Sequence, residues 1–412
     1  MAFFELNIAM SGLFAAQRGL QVTSNNISNA NTTGYSRQVL EQKASKPLSG
    51  LSVGMTGTGV ITTGVNRVRD SYIDQKLWTQ NPVLGEHNMK VTQSSMIETA
   101  FGEPSESGFT KAFDGVFSSM SDLSNNPSSK EHKVVVCKQM ETFAGYFNNI
   151  AGALKKQQKD VNFEIKGLVD EINSLATRIQ SLNEQIFNAE IYGSEASTFR
   201  DERDKCIDRL SKIVNVQVSE DTYESKGATI NRLSVKINGQ TLVDHLNVNT
   251  LDIKVREDKL NEHDEEGLYD VVWNTGGKLN LNSNNMSGEL KGLIDMRDGI
   301  GTNNEGKNSY TGIGYYMQRL DTYVRTFAKT MNEQYSTGLT DKKALFTYSA
   351  GDTVASESEL KTEDDYKKIT AANFSVSREL LESPYDMRTL YDETNPSDTS
   401  FMLDLIAQKD NK

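Results

Sequence analysis

The chain has 412 residues and a net charge of -12 at pH 7. This acidity argues against nucleic acid and membrane surfaces as partners, because both attract basic proteins. No stretch approaches the ~18 consecutive apolar residues that a membrane span requires. A cleavable secretory signal needs a basic start, whereas this N-terminus has Glu5 and no base before Arg18. We therefore expect no export by that route.

Residues 1–35 are predicted to be mainly a heptad helix. Two rows recur every seven residues: Leu6, Leu13, Leu20 and Ile27, and Ala9, Ala16, Thr23 and Ala30. A period of about 3.5 residues favours a supercoil with a partner helix. Phe4, Met10 and Phe14 lie off these rows, as in helices that are buried on several faces. The alternative is an ordinary amphipathic surface helix. We interpret the segment as an assembly element with its interface at Leu6, Ala9, Leu13, Ala16, Leu20 and Ile27.

The asparagine-rich segment NNISNANTTGY occupies residues 25–35. Asn and Gly compete with helical backbone geometry, and Gly34 can supply a positive-φ turn, so the segment is predicted to end the helix. Residues 36–65 are predicted to be a Gly/Thr-rich extended connector. Their glycine spacing matches neither a dinucleotide fingerprint nor a phosphate loop.

Residues 66–214 are predicted to form a helical, rod-like domain. One helix begins near Ser128 and Glu131, which have capping-box spacing. The strongest periodicity follows and predicts a coiled-coil-like core seam. This seam consists of Val161, Ile165, Leu168, Ile172, Leu175, Ile179, Leu182 and Ile186.

Residues 215–286 are predicted to be a β-rich inserted module. Alternating apolar residues flank Asn238-Gly239, the preferred pair for a tight hairpin turn. Helical periodicity returns at 287–337, and the polar residues 338–412 are predicted to be a partly β outer insertion. The fold class is therefore mainly α with inserted β modules (α+β), elongated and multi-domain.

Catalytic and metal-binding patterns are missing from the sequence. None of its four histidines has a second histidine at metal-binding spacing, and no nucleophile elbow is present. We predict no catalytic residue, cofactor or metal. In FRDERD, residues 199–204, we expect the charges to form ion pairs on one helix face, Asp201 with Lys205 and Arg200 with Asp204. Cys137 and Cys206 are expected to be small buried thiols, the alternative being a disulfide between them.

A resemblance can be stated on the segment SGLFAAQRGLQVTSNNISNANTTGYSRQ, residues 11–38. It is similar to the N-terminal signature of bacterial flagellar axial proteins, and its Ser-Arg-Gln ending resembles the FlgK family of hook-associated junction proteins. Further resembling segments follow in order over most of residues 1–340, among them RDERDKCIDRLSKIVNVQV and SGELKGLIDMRDG. The signature residues are Asn25, Asn26, Asn29, Asn31, Gly34, Tyr35, Ser36, Arg37 and Gln38.

The resemblance implies a structural role at the junction between hook and filament. Members leave the cell unfolded through the flagellar type III export channel, without a cleavable signal, and assemble extracellularly. The implied partners are further copies of the chain, the hook protein, the second hook-associated junction protein and a flagellar export chaperone. The family's C-terminal heptad helix is missing from these residues, which end in FMLDLIAQKDNK.

Two other functions are considered for this chain. A hook or distal-rod protein would share the asparagine-rich signature, but the Ser-Arg-Gln ending and the long seam argue against it. An enzyme embedded in a flagellar scaffold, such as a protease or a cell-wall hydrolase, would need a metal or nucleophile site, and the sequence has no pattern for either.

Overall fold

The computed structural model describes residues 2–50, 54–102, 108–191, 196–225, 228–280, 286–301, 309–351, 353–392, 394–395 and 398–410. Helices dominate these ranges, and the strands form several small sheets, which confirms the α+β class. The α-helices are α1 (Ala2–Ser28), α2 (Ser71–Phe101), α3 (Phe109–Asn125), α4 (Lys130–Ile191), α5 (Ser197–Ile213), α6 (Glu289–Asp298), α7 (Ile313–Tyr335), α8 (Glu363–Tyr366), α9 (Arg378–Glu382) and α10 (Ser400–Ala407).

The strands pair mainly with their neighbours in sequence. They are β1 (Gln38–Ala44), β2 (Leu48–Gly50), β3 (Gly54–Thr56), β4 (Val60–Arg67), β5 (Val216–Ser225), β6 (Ala228–Ile237), β7 (Gln240–Asp244), β8 (Asn247–Val248), β9 (Leu251–Val255), β10 (Tyr269–Trp273), β11 (Phe346–Ala350), β12 (Thr353–Val354) and β13 (Phe374–Val376). The sheets are β1-β4, β2-β3, β5-β6-β7-β8, β9-β10 and β12-β11-β13. Residues 36–65 therefore contain a paired β hairpin, where the sequence predicts an extended connector.

Helix α4 is continuous over 62 residues. The Oγ of Ser129 accepts a hydrogen bond from the His132 amide at 3.2 Å, so this side chain caps the helix. The expected cap at Ser128 is thus wrong by one residue, because it is Ser129 that places its oxygen on the third helical amide.

The predicted seam lies within α4, where six of its eight side chains are buried. Leu168 and Leu175 are half-buried, and the neighbouring Val169 and Ala176 are buried in their place. The row returns to the buried face at Ile179, Leu182 and Ile186, so the elements that pack against each turn decide which side chains are covered. The buried members of the row are Val161, Ile165, Ile172, Ile179, Leu182 and Ile186.

The chain divides into two compact units, each built from three separate segments. Unit 1 comprises residues 1–88, 166–254 and 270–292, and unit 2 comprises residues 89–165, 255–269 and 293–412. The predicted helical segment 66–214 contributes to both units. The division of the chain into six functional segments stays a prediction.

The β-rich part of unit 1 is a meander of β5 to β8. Strands β5 and β6 pair over ten residues each, from Val216 opposite Ile237 to Ser225 opposite Ala228. The predicted turn joins β6 to β7, with φ angles of 49° at Asn238 and 80° at Gly239. Both values lie in the left-handed region that such a two-residue hairpin turn requires.

Unit 2 is built around a cluster of aromatic rings. Phe143 and Phe147 meet edge to face with centroids 5.1 Å apart, and Phe346 stacks on Phe374 at 5.0 Å. Such pairs add to the stabilisation from apolar burial. Cys137 is buried here, and burial raises the pKa of its thiol to about 12. Cys206 in unit 1 is half-buried, and both thiols are free, so the alternative of a disulfide is wrong.

Unit 2 also contains an ion pair between a histidine and an aspartate, His263 and Asp321. The Nδ1 of His263 lies 2.7 Å from Asp321 Oδ2, and this hydrogen bond raises the pKa of the imidazole above 6.5. A raised folded pKa means that the native state binds the proton more tightly than the unfolded chain. The stabilisation is therefore complete below pH 6.5 and is lost as the pH rises through the folded pKa.

We expect His263→Gln to flatten the dependence of unit 2 stability on pH. Hydrogen exchange of α7 peptides, measured at about pH 6.5 and at successive steps above it, follows the loss of this stabilisation. His87→Gln, at an exposed histidine of α2, is the control. Equal pH profiles for His263→Gln and the unmodified protein would contradict the assignment.

Candidate assembly surface

One face of α1 packs on the hairpin formed by β1 and β4. Ala15 and Val22 are buried on this face, and Ser11 is half-buried. The Ser11 hydroxyl donates to the Ile8 carbonyl at 2.7 Å and accepts from the Val60 amide at 3.2 Å. A Cβ at Gly59, whose φ is +105°, would lie 2.2 Å from Ser11 Oγ. Glycine at 59 and small residues on α1 thus let helix and hairpin approach closely.

The opposite face of α1 carries the predicted assembly row and is open. Leu6, Leu13, Leu20 and Ile27 are exposed by 54%, 58%, 72% and 73%. Ala9 and Ala16 are exposed beside them. Met10 and Phe14 add a second exposed apolar strip. A contiguous row of large apolar side chains in water marks an interaction surface.

The asparagine-rich signature ends α1 through side-chain hydrogen bonds to the backbone. Asn26 Nδ2 donates to the Gln38 carbonyl at 2.8 Å, and Asn26 Oδ1 accepts from the Gln38 amide at 2.9 Å. The Tyr35 hydroxyl donates to the same Oδ1 at 2.9 Å. Asn29 donates to the Asn25 carbonyl at 3.0 Å. The asparagines therefore join the end of α1 to the first residue of β1 and satisfy its backbone groups.

The rest of the signature turns the chain toward α5. Gly34 has φ +76°, and a Cβ there would lie 2.4 Å from Lys205 Cε. Ser36 is buried, and its amide donates to Asp201 Oδ2 at 3.3 Å. Asn31 and Arg37 are exposed at the surface of this turn. The structure thus gathers most signature residues into one turn, whereas these two face solvent.

A charged cluster that the sequence analysis missed fixes the hairpin to α5. Arg67 Nη1, at the end of β4, lies 2.8 Å from Asp201 Oδ1 and 2.8 Å from Asp204 Oδ2. Trp78 Nε1 donates to Asp208 at 2.6 Å. Burial raises the pKa of the Asp208 carboxyl, although this hydrogen bond opposes the shift.

The predicted ion pairs within FRDERD are therefore wrong. Asp201 and Asp204 are buried, and buried carboxylates require charged partners that reach into the interior, here Arg67. Arg200 instead pairs with Glu190 and Glu220. A signal was present in the sequence, because the aspartates at 201, 204 and 208 lie on one helix face.

Arg67→Ala is expected to destabilise unit 1 by about 3–5 kcal/mol, because it leaves the buried Asp201 without its cation and leaves Asp204 with Arg69 alone, 3.5 Å away. Arg178→Ala removes an exposed pair with Glu202 from the same unit and should cost about 1 kcal/mol or less. Denaturant unfolding measures the free energy of unfolding of the two variants. Hydrogen exchange in α5 serves as the local probe. Equal effects would show that the Arg67 cluster is not a buried anchor.

Chemical groups for catalysis do not converge on this surface. The described residues contain no group of three or more His, Cys, Asp or Glu side chains that could hold a metal ion. Among the described helices, none is both long and apolar enough to span a bilayer. The arrangement is one of exposed apolar contacts and buried anchors, which is suited to binding other protein chains.

Two family matches cover most of the chain. Residues 94–346 match the family described as flagellar hook-associated protein FlgK helical domain. Residues 6–35, which include α1 and the signature turn, match the flagella basal body rod protein family. The first match alone covers more than half of the chain.

Individual relatives agree with these matches. Flagellar hook-associated protein 1 of Bacillus subtilis is 28% identical over 396 residues, which cover 91% of this chain and 76% of that protein. Its namesake from Salmonella typhimurium is 35% identical over 243 residues, which cover 58% of this chain and 42% of that protein. The match thus spans less than half of the Salmonella protein.

A solved structure supports the fold. The flagellar hook junction protein FlgK from Burkholderia pseudomallei aligns with a TM-score of 0.51 and 19% identity, covering 67% of this chain and 47% of that one. At this identity the likeness concerns the fold alone. With the helical-domain match over residues 94–346, the chain belongs to the FlgK family of flagellar hook-associated proteins.

Proposed function

We propose that this chain is a structural subunit of the hook–filament junction and that the exposed face of α1 makes its assembly contacts. The observation that carries the proposal is the row Leu6, Leu13, Leu20 and Ile27, each more than half exposed although each is a large apolar residue. Removing such a row from water stabilises a subunit contact by roughly 25 cal/mol per Å². The face is available because the hairpin covers the other side of α1.

Membership of the FlgK family places the chain in the bacterial flagellum. We further propose its position within the flagellum. The subunit lies outside the cell at the hook–filament boundary after flagellar type III export. It contacts further copies of itself, the hook protein and the second hook-associated junction protein, and an export chaperone binds it before export. The N-terminal signature shared with rod proteins supports axial partners, and the acidic charge argues against nucleic acid and membrane surfaces as partners.

We also propose a structural role for each of the predicted segments in the junction subunit. Residues 1–35 supply the tube-forming helix, and the hairpin within 36–65 braces it. The six buried seam residues of α4 contribute to the apolar core. We assign no catalytic step to the chain, in keeping with a structural family.

Deleting the gene and labelling the protein in place tests the proposal. The deletion strain should form hooks without filaments and release flagellin into the medium. An epitope inserted after Gly239, in the exposed turn of the β meander, should give immunogold label at the hook–filament boundary of a complemented strain. Label along the hook or at the rod would instead support the hook or distal-rod alternative. Normal filaments in the deletion strain would refute the proposal.

A further inference from the structure

Helix α1 has two charged side chains in its 27 residues, Glu5 and Arg18. Both are exposed, and neither forms an ion pair with any other residue in the described ranges. The rest of the helix surface is apolar or carries neutral amides and hydroxyls. A single acid and a single base on an assembly helix are the groups best placed to set the orientation of its neighbours, because charge complementarity gives specificity at interfaces.

The two charges lie on opposite flanks of the face that the hairpin covers. With about 100° of rotation per residue, Glu5 lies about 80° to one side of Ala15 and Arg18 about 60° to the other. Their axial separation of 13 residues is about 20 Å, so they cannot pair within one helix. Two different flanks that carry opposite charges suit a head-to-tail contact, in which one flank of a subunit meets the other flank of the next.

Arg18 also lies in a groove that is suited to a carboxylate. The groove has a volume of about 880 Å³ and lies between α1, β4 and the start of α5. Gln21, Ser24 and Ser28 line it from α1, and Thr62 and Ser197 line it from β4 and α5, where the Ser197 hydroxyl already donates to the Val65 carbonyl. Arg18 is its only charged lining residue in the described chain. A carboxylate entering this groove would meet one cation and several neutral hydrogen-bond donors, an arrangement that favours its charged form.

We propose that Glu5 of one subunit inserts into the Arg18 groove of the next copy of this chain and so sets the axial stagger between neighbouring α1 helices. The inference rests on the proposed function, since it names the contact made by the same assembly helix. The occupant is a second copy because the groove continues from the exposed surface of α1 and because Glu5 is the sole acidic residue of that surface. In parallel helices the pair requires a stagger of 13 residues, about 20 Å.

A charge swap tests the pairing. Purified variants are added to hook-bearing cells that lack the gene, which bypasses export, and the fraction of cells that then carry filaments is counted. Glu5→Arg and Arg18→Glu should each lower this fraction about tenfold, because each places like charges in contact. The double variant restores opposite charges between subunits and should return to within about twofold of the unmodified protein. Lys43→Glu, an equal charge change at an exposed position of β1, is the matched control and should have no effect.

A second measurement is independent of filament formation. Chains carrying Glu5→Cys and chains carrying Arg18→Cys are assembled together and oxidised. A disulfide-linked dimer should form in the mixture and be missing when either variant is assembled alone.

The outcomes separate this pairing from the proposed function. If the charge swap is no better than either single variant, or if the mixture gives no more dimer than the separate chains, the pairing is overturned. That result leaves the junction role intact as long as aspartates at Leu13 and Leu20 still prevent assembly. If those aspartates are tolerated, the assembly role of α1 fails first and the pairing fails with it.

Discussion

Replacing Leu13 and Leu20 together by aspartate is expected to abolish filament attachment while leaving the rest of the chain folded. Both side chains are more than half exposed on α1, so the isolated subunit should tolerate the change. In a subunit contact the two carboxylates would be buried without partners, and each costs several kcal/mol after relaxation. Every subunit of the assembly would repeat this cost.

The measurement compares circular dichroism, the amount of secreted protein and the number of filaments in a strain without the native gene. Gln42→Asp and Gln217→Asp together form the control, because they add the same charges at exposed positions of β1 and β5 in the same unit, away from the apolar row of α1. Filaments of normal number from the Leu13/Leu20 variant would refute the role of this face. If secretion fails, purified protein is added to hook-bearing cells, and filament growth there decides the matter.

The second large effect is expected in the core of unit 1. Leu182→Ala should destabilise the unit by about 2–5 kcal/mol, because this leucine is fully buried and the substitution leaves a cavity. Leu175→Ala removes the same atoms from a half-buried site and should cost about 1 kcal/mol. Lys166→Ala, at an exposed position of the same helix, should have little effect.

Urea unfolding, followed locally by hydrogen exchange in α4 and α5, measures these three variants. The comparison of two leucines on one predicted row is informative because only burial differs between them. If Leu175→Ala cost as much as Leu182→Ala, the packing along α4 would follow the strict heptad row rather than the buried face seen in the structure.

Local sequence patterns predicted the elements better than the contacts between them. The hairpin turn at Asn238-Gly239 follows from the positive φ angles that this pair adopts readily. The open row on α1 follows from its seven-residue spacing. By contrast, no local pattern shows that Arg67 bonds to Asp201 and Asp204, which are 134 and 137 positions further along the chain. Such pairs depend on the chain topology, which short-range periodicity does not encode.

The seam of α4 shows a different limit of prediction. The apolar row fits both a 3.5-residue and a 3.6-residue repeat over a short stretch, and the two diverge along a helix of 62 residues. Which leucines are fully covered then depends on the elements packed against each turn. Leu168 and Leu175 are half-buried for this reason. The N-terminal signature is a visible sequence motif, whereas the hydrogen bonds that join Asn26 to the Gln38 backbone are seen only in the structure.

The three-segment construction of unit 1 has a consequence for the order of folding. Its anchors join distant parts of the chain, since the Ser36 amide bonds to a carboxylate 165 residues further on. If the export proposed above runs with the N-terminus first, α1 and the hairpin leave the channel long before Asp201 does. Non-local contacts of this kind form late and slowly. On that proposal the leading segment would be outside the cell before α5 can anchor its hairpin, and its apolar row would be exposed to premature aggregation until residue 201 has emerged.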